Sequence, residues 1–232
     1  GSGSHIWSNN FVSTSDDAAY AVATDGAGDV LVTGYLLGGV DFGGGALFSM
    51  GSSDVFLAKF EGDTGAHVWS RLFGGLASDR GAAIAVDSAG NVAITGFFKD
   101  RANFGGADLV GGVNDGFVAR YTANGSHLWS RKLGGTDNDE GTGVSMDSNG
   151  DVIVTGYFQD VVDFGGGSLT SAGLQDIFIA KYSATSGAHQ WSSRFGGSSS
   201  DKGNGIVVDG RDFITATGYF QGTIDFGDGM MT

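Results

Sequence analysis

HVWSRLFGG, residues 67–75, returns as HLWSRKLGG at 127–135 and as HQWSSRFGG at 189–197, and the chain begins with the related HIWSNNF at 5–11. The four tryptophans, Trp7, Trp69, Trp129 and Trp191, are therefore spaced by 62, 60 and 62 residues. Each is followed by serine and preceded two positions earlier by one of the protein's four histidines, His5, His67, His127 and His189. Composition alone does not produce this, so the chain is one unit of about 60 residues copied four times.

Other landmarks keep the same step. TGY or TGF begins at Thr33, Thr95, Thr155 and Thr217. Eight residues later an acidic or amide residue precedes Phe-Gly: Asp41, Asn103, Asp163 and Asp225. DVFLAKF, DGFVARY and DIFIAKY begin at Asp54, Asp115 and Asp176. Within a copy the pattern is that of strands. GAAIAVD (81–87) alternates, with Ile84 and Val86 on one face and Ala83 and Ala85 on the other. DSAGN, DSNGD and DGAGD carry the Asp and Gly chemistry of tight hairpins. This gives four strands per copy, with a Gly-rich excursion between the second and third. No segment has a sustained 3.6-residue period, so no helix longer than a turn is expected.

Composition agrees with this reading. The chain has 44 glycines and no proline, and 24 of its 26 acidic residues are turn-favouring aspartates. With 41% hydrophobic residues, 232 residues are enough to bury a core as one domain. A tandem four-stranded antiparallel unit is a propeller blade. The sequence therefore predicts an all-β propeller of about four blades spanning residues 1–232. Its repeats run over about 14–75, 76–135, 136–197, and 198–232 joined with 1–13. Small residues on the first strand (Ala21/Ala23, Ala83/Ala85, Gly143/Ser145, Gly205/Val207) fit the crowded position nearest an axis.

AVDSAGNVAITGFF (85–98, in the second copy), DIFIAKY and HLWSRKLGG together resemble the bacterial β-propeller repeat abbreviated SBBP. The resemblance covers nearly the whole chain. It implies a module of a secreted or cell-surface bacterial protein with no defined active site. The family's name implies seven blades, and this chain departs from it with about four.

The last blade is expected to be incomplete. Positions 171–184, which hold the third strand of the third copy, have no counterpart in the fourth, whose matching fourth strand is the N-terminal HIWSNN. Three readings follow: a piece of a longer array, completion by a neighbouring chain with self-association, or occupation of the place by another strand.

The candidate metal ligands are Asp17, Asp79, Asp139 and Asp201, one before each innermost strand. Oxygen-rich sites of this kind suit Ca²⁺, and a net charge of −14 attracts divalent cations. The competing reading has each carboxylate accepting backbone N–H bonds in a turn. The histidines are not expected to share a metal, because symmetry-related outer strands lie too far apart. His67, Trp69 and Arg71 are expected to alternate on one strand face. Lys59, Arg120 and Lys181 are expected to pair with aspartates. Phe98, Phe158 and Phe220 are either core or sugar-stacking positions.

The acidic balance disfavours nucleic acid, no apolar run is long enough to cross a membrane as a helix, and the absence of cysteine leaves the compartment open. A non-catalytic scaffold binding a protein or glycan is favoured. A lectin-like propeller is the alternative. A propeller enzyme is disfavoured because no copy breaks the symmetry with a unique insertion or lone Cys or His.

Overall fold

The computed structural model describes residues 3–13 and 15–232. The described residues contain strands and turns and no helix. The first unit opens with β1 (Ala18–Thr24) and β2 (Val30–Leu36), inserts a small hairpin, β3 (Gly39–Asp41) and β4 (Ala46–Phe48), and closes with β5 (Asp54–Phe60) and β6 (His67–Gly75). The second repeats the plan with β7 (Arg80–Val86), β8 (Val92–Phe98), the hairpin β9 (Arg101–Asn103) and β10 (Leu109–Val110), β11 (Asp115–Tyr121) and β12 (His127–Leu133). The third has β13 (Glu140–Met146), β14 (Val152–Phe158), the hairpin β15 (Val161–Asp163) and β16 (Ser168–Thr170), β17 (Asp176–Tyr182) and β18 (His189–Phe195). The fourth consists of β19 (Lys202–Val208), β20 (Ile214–Tyr219) and the hairpin β21 (Ile224–Asp225) and β22 (Met230–Met231).

Each of the first three units is an antiparallel sheet in chain order, first strand to fourth, and the fourth unit holds only the pair β19–β20. The tips Gly74 and Gly75 of β6 also pair with Asn103 and Ala102 of β9, so the first sheet is sewn to the next unit's hairpin. The first strands β1, β7, β13 and β19 pack against one another in that order.

The repeated sequence landmarks have local causes. In the turns between first and second strands, Oδ1 of Asp25, Asp87, Asp147 and Asp209 accepts backbone N–H bonds from the residues two and four positions on, at 2.8–3.0 Å. In the small hairpins Asp41, Asn103, Asp163 and Asp225 bind the Gly amides that follow, at 2.7 Å for the first of them. An amide oxygen serves as well as a carboxylate there, which explains the tolerance of Asn103. In TG[YF] the threonine hydroxyl donates to the backbone of the third strand, Thr33 to Phe56 O at 2.7 Å and Thr155 to Phe178 O at 2.8 Å. The glycine sits opposite a bulge in the first strand, and a Cβ on Gly96 would lie 1.9 Å from Arg80 O.

Apolar side chains fill the spaces between successive sheets. One cluster joins Leu57, Trp69 and Phe73 of the first sheet to Ile94, Phe117 and Tyr121 of the second. Another joins Val118, Trp129 and Leu133 of the second to Val154, Phe178 and Tyr182 of the third. Burial of these aromatic and branched side chains is the main stabilising term, at about 1.5–3 kcal/mol each. The free face of the first sheet has its own cluster, including Phe42, Phe56 and Phe60, covered by Phe11.

The N-terminal segment forms no strand, yet it lies on the first sheet as each fourth strand lies on the sheet after it. Trp7 donates its indole N–H to Gly62 O at 2.7 Å, as Trp69 does to Ala123 O at 3.1 Å and Trp129 to Ala184 O at 3.0 Å. Phe11 stacks on Phe60 with ring centroids 5.3 Å apart, as Phe73 does on Tyr121 at 4.7 Å. The expectation that 5–11 behaves as a fourth strand thus describes its side-chain contacts and not its backbone, because no third strand lies beside it to supply the ladder.

Candidate interaction surface

The predicted metal aspartates occupy equivalent places, each at its own sheet junction. Asp79, Asp139 and Asp201 are fully buried. In each, Oδ2 accepts the N–H of Gly75, Gly135 or Gly197 at 2.7 Å. Oδ1 reaches twenty residues ahead, to the N–H of Lys99, Gln159 or Gln221 at 2.9–3.1 Å. Asp17 is exposed and keeps only the second contact, to Leu37 N at 2.7 Å. The carboxylates therefore hold backbone amides. Among the described residues no three acidic, histidine or cysteine side chains are grouped to hold a metal ion.

A second carboxylate stands beside Asp79 and beside Asp139. A Cβ on Gly74 would lie 2.4 Å from Asp54 Oδ1 and 2.6 Å from Asp79 Oδ2, and Gly134 stands in the same relation to Asp115 and Asp139. Burial pushes Asp79 and Asp139 up to about 7, and the neighbouring carboxylates Asp54 and Asp115 add to the rise. Sequence reasoning passed over Asp54, Asp115 and Asp176 as strand openers. The signal was their invariance across three copies at the start of an otherwise apolar strand.

The histidines and tryptophans lie on opposite strand faces, which corrects the expected alternation for the histidine, while Arg71 keeps to the face of Trp69 with its guanidinium 5.8 Å from the ring. Lys59 pairs with Trp69 while Phe60 pairs with His67, so a bulge at Val68 turns the two side chains apart. His67 then meets Ser70 Oγ at 3.1 Å and the edge of Phe60, within its own unit. Trp69 faces the next unit. Trp69 and Trp129 are buried, but Trp191 is only half-buried. The turn that covers the first two, at Gly125 and Gly187, joins third and fourth strands and has no equivalent in the fourth unit. The third-strand cations do find aspartates: Lys59 with Asp25 at 2.7 Å, Arg120 with Asp87 at 2.6 Å and Lys181 with Asp147 at 2.6 Å. Phe98 and Phe158 are fully buried and offer no face to a sugar ring. Phe220, the third of these positions, is half-buried at the edge of the fourth unit.

The fourth unit breaks the symmetry. β2, β8 and β14 each pair with a third strand, whereas β20 pairs with β19 alone. Phe42, Phe104 and Phe164 are at most 6% exposed, but Phe226 is 47% exposed. Beside it Ile177, Ile179 and Phe195 of the third sheet and Ala216 and Phe220 of the fourth line a largely apolar cavity of about 530 Å³. In the other units this space is filled by third-strand side chains. The surface thus joins an unpaired strand edge to an apolar trough of the shape one strand leaves.

Over an alignment of 176 positions that covers 72% of its length, the chain is 29% identical to the regulatory protein FlaEY of Caulobacter vibrioides, of which the match covers 18%. Over an alignment of 187 positions that covers 67% of its length, it is 25% identical to an uncharacterized WD repeat-containing protein of Acanthamoeba polyphaga mimivirus, of which the match covers 13%. The chain spans less than a fifth of either relative. No family model matches it.

Proposed function

We propose that the chain is a non-catalytic β-propeller scaffold that binds a protein, and that the edge of β20 takes up a strand of the third-strand type. The likeness to a protein named for WD repeats supports the propeller reading. So does the packing of the first strands in series. The observation that carries the binding role is the coincidence of an unpaired strand edge with the apolar trough around Phe226. Such edges recruit strands, with main-chain bonds supplying affinity and alternate side-chain pockets supplying specificity.

The partner is an extended segment of the chemistry that β5, β11 and β17 share: an aspartate, then apolar residues about a phenylalanine, then a cation and an aromatic residue. No reacting centre is needed for this role. By its resemblance to SBBP repeats, the parent protein belongs outside the cell or on its surface. A second copy of the chain is the variant reading, because each copy carries three strands of the required kind.

The test is a labelled peptide spanning 171–184, SAGLQDIFIAKYSA, titrated against the chain and against a version extended at Thr232 by that same segment. The peptide is expected to bind the chain in fluorescence anisotropy and not the extended form. Absence of binding, or equal binding to both, removes the proposal. Sedimentation of the two forms identifies the self-association variant, in which only the shorter one is a dimer.

A further inference from the structure

The second and third sheets neutralise their buried third-strand aspartate with a cation from the fourth strand. Lys132 Nζ lies 2.8 Å from Asp115 Oδ1, and the Arg194 guanidinium pairs with Asp176. Both aspartates are fully buried. The corresponding residue of the first sheet is Leu72, three positions after Trp69 as Lys132 is after Trp129. Asp54 is as buried as its equivalents and draws on backbone N–H groups alone, Met50 N to Oδ2 at 2.8 Å and, more loosely, that of Gly75. Its other oxygen, Oδ1, is buried without a well-formed hydrogen bond, as are Oδ1 of Asp115 and Asp176, but among the described residues Asp54 alone of the three has no cation against it. A buried carboxylate left in this state is costly, and the cost is met by a counter-charge or by neutralisation.

The place left by the missing cation is hollow. A cavity of about 340 Å³ is lined by Asp54, Leu72, Phe73 and Gly74 on one side and by Asn103 and Gly105 of the next unit's hairpin on the other. Met50 overhangs it and is 63% exposed, so its flexible side chain is free to swing aside. A neighbouring hollow shares Met50, Gly74 and Asn103 and brings Asp100 and Asp108 to its wall. Its one cation, Arg101, is already paired with Asp108 at 2.9 Å. The approach is therefore acidic, apolar at the throat, and ends on a buried carboxylate that has no cation against it.

We propose that this first junction is a binding site for a ligand bearing an alkylammonium or guanidinium group, which takes the position that Lys132 and Arg194 occupy in the other two sheets. The charged head meets Asp54 Oδ1 beside Asp79, and the alkyl stem lies along Leu72 and Met50. The recognition is that of the internal ion pairs, supplied from outside the chain. Free amines and the lysine or arginine side chains of a peptide share this chemistry.

The test is a titration of the chain at pH 8 with n-butylammonium, with guanidinium, with an acetylated lysine amide, and with calcium chloride at matched ionic strength. Thermal unfolding and the ¹⁵N–¹H signals of Met50 and Gly75 are followed together. A saturable rise of a few degrees in Tm with the amines, and movement of both amide signals, are expected. L72K, which supplies the tethered cation as Lys132 does, should abolish both responses. D54N, which removes the charge without changing the shape, should do the same and guards against L72K failing to fold. Larger responses to lysine amide than to butylammonium assign a peptide side chain, and the reverse assigns a free amine. The site is overturned if the amines leave both signals unmoved, if L72K and D54N respond as the unaltered chain does, or if calcium alone produces the shift.

Discussion

Trp129 and Trp191 are the same residue in the repeat with different surroundings. Trp129 is 6% exposed, gives its N–H to Ala184 O at 3.0 Å, and rests on the turn at Gly187. Replacing it with alanine should cost about 3–5 kcal/mol, read by denaturant unfolding, while Trp191→Ala should cost less than half as much. Equal losses would show that the covering turn is not what anchors the ring. The junction aspartates make a second prediction. Folded Asp79 and Asp139 hold protons up to about pH 7, whereas their ordinary value is 3.8. Between those values the folded chain binds more protons, so their contribution to stability falls as pH rises from about 4 to about 7. Burial also raises Asp25 and Asp87, but their hydrogen bonds and the cations Lys59 and Arg120 outweigh it and hold both below 3.8. Their stabilisation is lost only in stronger acid. Tm should therefore rise on acidification from pH 7.5 to 5 and fall below about 3.5, and Asp79→Asn should flatten the first limb.

At the level of the strand, the TG[YF] signature does one job in three units and has no partner in the fourth. Thr155 is fully buried and bonds Phe178 O at 2.8 Å, whereas Thr217 lies on β20, which has no third strand beside it. Thr155→Val leaves a buried carbonyl short of a donor and should cost about 1–3 kcal/mol. Thr217→Val should change stability by less than about 0.5 kcal/mol. Urea unfolding of the two variants side by side decides it, and a large loss in Thr217→Val would mean the fourth unit is better paired than its geometry indicates. The turn at Gly187 behaves likewise. Its φ is 62° and a Cβ would lie 2.6 Å from the Trp129 ring, so Gly187→Ala should cost more than about 1 kcal/mol through both strain and displacement.

Across the molecule, stability should grade along the series of sheets. The middle sheet has a filled cluster on each side, and β20 is exposed along its whole length. Amide exchange should be slowest in β8 and β11, and fastest in β20. Uniform protection would mean that the fourth unit is covered in solution, as the docking proposal requires of the bound state. The sequence by itself determined the repeat, the strands and the turn chemistry. Those are set by near neighbours, as when Asp87 ties down Ala89 and Asn91 or Asp163 ties down Gly165. The recurrence of such local patterns also made the unpaired fourth unit visible. Only the tertiary structure decided which face each side chain takes, because one bulge at Val68 reverses His67 relative to Trp69. It alone decided the state of the carboxylates too. Asp54 and Asp115 open equivalent strands, and they differ because a residue on another strand, Leu72 or Lys132, either leaves the buried carboxyl without a cation or supplies one.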